Sequence, residues 1–176
     1  MTRRFNLWLP FATALLLLAA ILPGCVGYRL GSMLPPDIRT VYVEPFVNQT
    51  DEPLIEVEAT RAAISEIQRD GSLRIIRNAN EADALLKVTL VGYSLSPIAY
   101  EADRTTATEE YKLVLTASVL LTRRASGAVV AQTPRVSGED TFILSGDLTS
   151  SKATALPKAA EDLGRRIVAS LVEAWP

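Results

Sequence analysis

Two stretches of the chain alternate so regularly that few folds remain open to it. Ala84, Leu86, Val88, Leu90 and Gly92 interleave with Leu85, Lys87, Thr89, Val91 and Tyr93, and the pattern carries on to about Tyr100. Between Glu110 and Thr122, Tyr111, Leu113, Leu115, Ala117, Val119 and Leu121 fall on one side, with Lys112, Thr116, Ser118 and Thr122 on the other. A period of two marks a strand, whose successive side chains point to opposite faces. Two long strands of this kind give a sheet one strongly apolar face, which another layer has to cover.

Two helical stripes can supply that cover. From Glu52 to Arg69 the residues Leu54, Val57, Ile64 and Ile67 recur at helical spacing, with Glu52, Glu56 and Glu58 enriching the first turns. Thr50 or Asp51 can cap this helix and Asp70-Gly71 can end it. Near the C-terminus Leu156, Ala160, Leu163, Ile167, Leu171 and Trp175 form a second stripe, and Pro157 fits if it lies in the first turn. Further strands are expected at Val41–Val47, Leu73–Arg77 and from Ala128 to about Leu144. In the last of these, Pro134 and Gly138 point to an edge or a bulge. Arg123-Arg124-Ala125-Ser126-Gly127 reads as a hairpin turn with glycine at the positive-φ position. The order β-α-β-β-β-β-α predicts an α+β fold, a mostly antiparallel sheet of about four to five strands with both helices on one face.

The N-terminus belongs to a different physical regime. Residues 7–22, LWLPFATALLLLAAIL, contain Thr13 as their one polar side chain, and Arg3 and Arg4 precede them. A spanning helix needs about 20 apolar residues, and this block is shorter and ends at Pro23-Gly24. It has the anatomy of a secretory signal peptide over residues 1–24. The only cysteine, Cys25, follows directly, and Leu22-Pro23-Gly24-Cys25 resembles the lipobox of bacterial lipoproteins. That resemblance implies lipidation of Cys25. Val26, unlike an aspartate there, implies an outer-membrane address. Residues 25–40 suit a lipidated tether with Gly27, Gly31 and Pro35-Pro36, and residues 41–176 a single domain.

Removing the signal takes Arg3 and Arg4 but no acid, leaving 16 basic and 20 acidic residues and a net charge of −4. With that balance and an exported address, nucleic acid is not an expected partner. The sequence has no histidine and its one cysteine is assigned to the lipid, so triads built on His, Cys nucleophiles and ordinary zinc sites are excluded, and no metal or cofactor is expected. Acid pairs such as Glu109-Glu110 and Glu139-Asp140 sit next to each other on strands and so point to opposite faces. An enzyme is therefore not expected. For binding, an antiparallel meander puts the connection holding Arg104 and the connection holding Lys152 at one end of the sheet, with Arg123 and Arg124 at the other. Such a pair could meet the phosphates of an anionic lipid headgroup by charge-assisted bonds, although scattered surface cations are ordinary and spacing alone favours that plainer reading.

Taken together, several segments resemble the LptE family of lipopolysaccharide-assembly lipoproteins. They are Gly27-Tyr28-Arg29-Leu30, the run from Thr40 to Thr50, Glu56 to Ala62, Glu81 to Leu86, Glu109 to Leu113, and Trp175. The resemblance implies an outer-membrane lipoprotein that plugs an LptD-type β-barrel, supports its assembly and helps lipopolysaccharide reach the outer leaflet. It also implies lipopolysaccharide contact by the loops holding Arg104 and Lys152. The rival reading is a periplasmic lipoprotein that activates a peptidoglycan synthase, or another binding module with a similar opening strand.

Overall fold

A computed structural model of the chain describes residues 34–98, 110–144 and 147–172. The elements run β1 (Thr40–Val43), β2 (Val47–Asn48), α1 (Ile55–Asp70), β3 (Arg74–Ile75), β4 (Ala84–Pro97), β5 (Glu110–Arg123), β6 (Val129–Ile143) and α2 (Leu148–Val172). The fold is α+β as expected, but the sheet is mixed and six-stranded. Its order is β3-β1-β4-β5-β6, with β2 also on β4. β4, β5 and β6 form the antiparallel meander, whereas β1 and β2 run parallel to β4, and β3 parallel to β1.

The extra strand comes from a break in the first one. Pro45 has no N–H to donate, so it interrupts what reads in the sequence as one strand from Val41 to Val47. Between the Val43–Leu86 and Val47–Thr89 pairs the chain advances one residue more than β4 does. The freed Phe46 N–H donates to Thr60 Oγ1 of α1 at 3.2 Å.

A second irregularity re-aims β4. Leu90 pairs with Ala117 and Gly92 with Thr116, which leaves Val91 as an extra residue. Past this bulge the inward parity switches, and Tyr93 and Leu95 pack on the core instead of joining the opposite face. Strict alternation would have put Tyr93 there.

One core holds the domain together. Leu86, Val88 and Leu90 of β4 and Leu113, Leu115, Ala117, Val119 and Leu121 of β5 lie beneath Ile55, Ala59, Ala63 and Ile67 of α1 and Ala155, Ala159, Leu163 and Ile167 of α2. Each fully buried Leu or Ile contributes roughly 1.5–3 kcal/mol. Small residues set the spacing between the helices: a Cβ on Gly164 would stand 3.1 Å from the Ala62 carbonyl.

The element ends follow local chemistry. Gly71 closes α1 in the left-handed region, its N–H bonded to the Ile67 carbonyl at 3.1 Å. Gly127 takes a φ of 69° in the β5–β6 hairpin. The start of α1 departs from expectation, because Leu54, not Thr50 or Asp51, is its N-cap, with a φ of 66° and no side-chain cap. Pro53 disfavours helix at Glu52, so the helix can begin only beyond it. Asn48 takes over the satisfying of the turn, accepting from the Thr50 N–H at 2.9 Å and donating to the Glu52 carbonyl at 2.8 Å. At the opposite end of β1, Asp83 accepts from the N–H and hydroxyl of Thr40 at 2.9 and 2.8 Å and from the Arg39 N–H at 3.0 Å. These bonds tie the start of β1 to the start of β4.

Candidate functional site

The end of the sheet reached by β4 and β6 is where the sequence put its two candidate phosphate-contact connections. There Ile98 donates to the Glu110 carbonyl at 2.8 Å, which joins the two flanks of the connection that holds Arg104. Arg104 itself and Cys25 lie outside the described residues.

Lys152 is described, and it does not sit on a connection. α2 begins at Leu148, so Lys152 is in its early turns, and Pro157 lies inside the helix instead of in its first turn. Asp147 explains the early start: it accepts from the Ser150 N–H at 2.9 Å and from the Ser150 hydroxyl at 2.7 Å. Those bonds hold its carboxyl below the usual carboxylate range. The bond that Pro157 cannot make would run to the carbonyl of Ala153, an exposed residue, where water can replace it.

This placement turns the Lys152 side chain toward the turn that precedes α1. Its Nζ lies 2.7 Å from Glu52 Oε1, and the two side chains are 29% and 25% exposed. The Glu52 hydrogen bond raises the lysine above its ordinary value against the opposing effect of burial. The Tyr93 hydroxyl is buried nearby without a hydrogen-bond partner among the described residues. Burial pushes Tyr93 up, Glu52 adds to the rise, and Lys152 opposes it. A cleft of about 380 Å³ opens beside this group, lined by Gln49, Thr50, Asp51, Glu52, Val91, Gly92 and Tyr93.

The pair Glu52–Lys152 bridges residues far apart in sequence, which no local pattern signals. It also changes what Lys152 can do. An anion reaching the lysine has to compete with a carboxylate already in place, and Asp51 lines the same cleft. Lys112, on β5 near this end, is likewise paired, with Glu139 at 2.8 Å. At the other end, Arg123 pairs with Asp37 and Arg124 Nε donates to the Ala82 carbonyl at 2.8 Å, so these arginines hold structure together. Among the described residues no cluster of three or more His, Cys, Asp or Glu is placed to hold a metal. No described helix is long and apolar enough to cross a membrane.

The family model described as LptE, lipopolysaccharide-assembly, matches residues 38–171. The chain belongs to the LptE family. The match takes in every described element from the start of β1 into the last turn of α2. Solved structures similar to this LptE-family chain include a candidate lipoprotein from Caulobacter crescentus CB15, 13% identical, covering 73% of this chain and 86% of that one at a TM-score of 0.51. Another is the hypothetical protein CT253 from Chlamydia trachomatis, 11% identical, covering 75% and 94% at a TM-score of 0.50. A minor lipoprotein from Acinetobacter baumannii is 10% identical and covers 73% and 88% at a TM-score of 0.49. At these identities the first two show a shared fold. No curated protein matches the chain in sequence.

Proposed function

We propose that this LptE-family chain is an outer-membrane lipoprotein, anchored through Cys25 after removal of residues 1–24. In this reading it sits in the lumen of an LptD-type β-barrel, supports assembly of that barrel and assists passage of lipopolysaccharide to the outer leaflet. The observation that carries the reading is the family match over residues 38–171. The helix-free face of the sheet supports it. There the register lines up Lys87, Thr89, Ser94 and Ser96 of β4 with Lys112, Thr116 and Ser118 of β5, and Leu85, Val114 and Leu120 lie among them half-buried. A surface of polar groups with interspersed aliphatics suits the wet, polar inner wall of a barrel. The role is that of a scaffold and lipid-handling protein, not a catalyst. Arg104 and Lys152 serve lipopolysaccharide contact in this reading, with Lys152 exchanging its Glu52 partner for a phosphate.

Affinity purification of the lipidated protein from native outer membranes, with mass spectrometry of what co-purifies, tests the proposal. A large β-barrel in near-equal amount is the expected result. Depletion of the chain should lower the amount of assembled barrel and raise permeability to large antibiotics. Barrel assembly unchanged on depletion would overturn the reading in favour of a peptidoglycan-synthase activator.

A further inference from the structure

β6 ends the sheet, and among the described residues no strand lies on its outer side. Its register with β5 decides which backbone groups look outward. Gly138, Asp140 and Phe142 oppose Leu115, Leu113 and Tyr111, while Glu139 opposes Val114. In an antiparallel ladder, pairs that exchange both backbone bonds alternate with pairs that exchange none. The Glu139 N–H donates to Asp162 Oδ2 at 3.1 Å. Glu139 therefore belongs to the second kind, and by alternation Ser137, Thr141 and Ile143 also turn their N–H and C=O groups away from β5. A row of such groups is a template for an added strand.

The other half of β6 is already spoiled as a template. Between the Ala117–Val136 and Val119–Thr133 pairs β6 gains one residue, at Pro134-Arg135, and proline has no N–H to offer. Only the half from Ser137 to Ile143 needs a cover, and α2 reaches it. Gly138 has no Cβ, so the α2 backbone can lie almost on the strand, and a Cβ there would stand 2.1 Å from the Leu163 nitrogen. Asp162, next to Leu163, then extends over the edge, with its side chain 17% exposed. Arg165 and Arg166 hold the same carboxylate at 2.9 Å each.

We infer that Asp162 is an edge guard, which occupies the Glu139 N–H and so keeps the Ser137–Ile143 half of β6 from pairing with the same edge of a second copy of this chain. The geometry of the excluded pairing supports that occupant. Two identical edges can meet antiparallel about a two-fold axis, each supplying what the other lacks. An incoming carbonyl would have to displace the carboxylate from the Glu139 N–H and then lie beside it, oxygen against oxygen, which disfavours the pairing.

Sedimentation equilibrium of the full-length protein in density-matched detergent tests this. The unaltered chain should remain monomeric across the concentration range, whereas Asp162→Ala should shift to twice the protein mass. Thr141→Pro added to Asp162→Ala should restore the monomer, because the Thr141 N–H faces away from β5 and proline there blocks an added strand without removing a ladder bond. Arg165→Ala with Arg166→Ala, which strips the ion pairs but leaves the carboxylate, should stay monomeric. If Asp162→Ala fails to fold by circular dichroism, Asp162→Ser repeats the test with a side chain too short to reach the edge. A folded guardless variant that stays monomeric, or a dimer that Thr141→Pro does not dissolve, would overturn the inference.

Discussion

Gly138 of β6 lies directly beneath Leu163 of α2, so close that a Cβ on the glycine would stand 2.1 Å from the Leu163 nitrogen and 2.4 Å from its Cα. Both contacts are to backbone, which cannot rotate aside as a flexible side chain would. Gly138→Ala should therefore lift α2 from the sheet, at a cost of about 3 kcal/mol. In a chain of this size that is a fall in melting temperature of roughly 6–12 °C. Thermal unfolding followed by circular dichroism checks it, and an unchanged midpoint would mean that the helix sits higher than described.

Asp83 makes stability at the start of β1 depend on pH. The Thr40 hydroxyl, the Arg39 N–H and the Thr40 N–H hold its carboxyl below the usual range against the effect of burial, and the Arg124 charge adds to them. Because the folded value is depressed, its contribution is fully present above the unfolded value and disappears as pH falls through the folded one. Asp83→Asn should cost about 1–2 kcal/mol at neutral pH. The difference from the parent chain should shrink at pH values below the ordinary carboxylate range. Chemical denaturation at neutral and strongly acidic pH measures both, and a difference independent of pH would show that the charge contributes nothing.

The pairing of Lys152 with Glu52 gives the lipid-contact reading a signed test. Glu52→Gln frees the lysine and should tighten lipopolysaccharide binding in vitro. Arg104→Glu with Lys152→Glu should weaken it about tenfold or more, since each 1.4 kcal/mol is a factor of ten and a charge-assisted phosphate bond is worth about 1.5–3 kcal/mol. Arg123 and Arg124 are unsuitable as controls because both make structural contacts. Arg74→Glu with Lys158→Glu changes charge equally at two exposed positions. Equal weakening by that pair would leave net charge as the only determinant.

Cys25→Ser should leave a precursor that still carries residues 1–24 and should release the domain from outer-membrane fractions. Intact-mass spectrometry of the membrane form is the direct check. A free thiol at position 25 in the native protein would contradict the anchor.

Elements with a local signature were legible in the sequence. The alternation of β5, the glycine closing α1 and the Gly127 hairpin depend on residues close together in the chain, and each is found where its pattern puts it. Pro134 marks an edge strand, which β6 is. What the sequence hid depends on distant partners or on single-residue slips. A strand as short as Thr40–Val43 carries no mark of its direction, so its parallel pairing with β4 could not be read. The Val91 bulge turned Tyr93 inward without altering composition. The early turns of α2 contain Thr149, Ser150 and Ser151, which look like a loop until Asp147 is seen capping them. Glu52 and Asp162 matter through partners on other elements, so neither stood out.

The order of the layers has a consequence for how the chain acquires its structure. β1 can pair with β3 once α1 is made, but its other edge has to wait for β4, and the apolar row of β5 is covered by α2, which follows all the strands. A chain made from its N-terminus thus has no partial length with a closed core. Until α2 is in place, Leu113, Leu115 and Val119 lack part of their cover. Commitment to the native state therefore falls late, once α2 has joined the strands it covers.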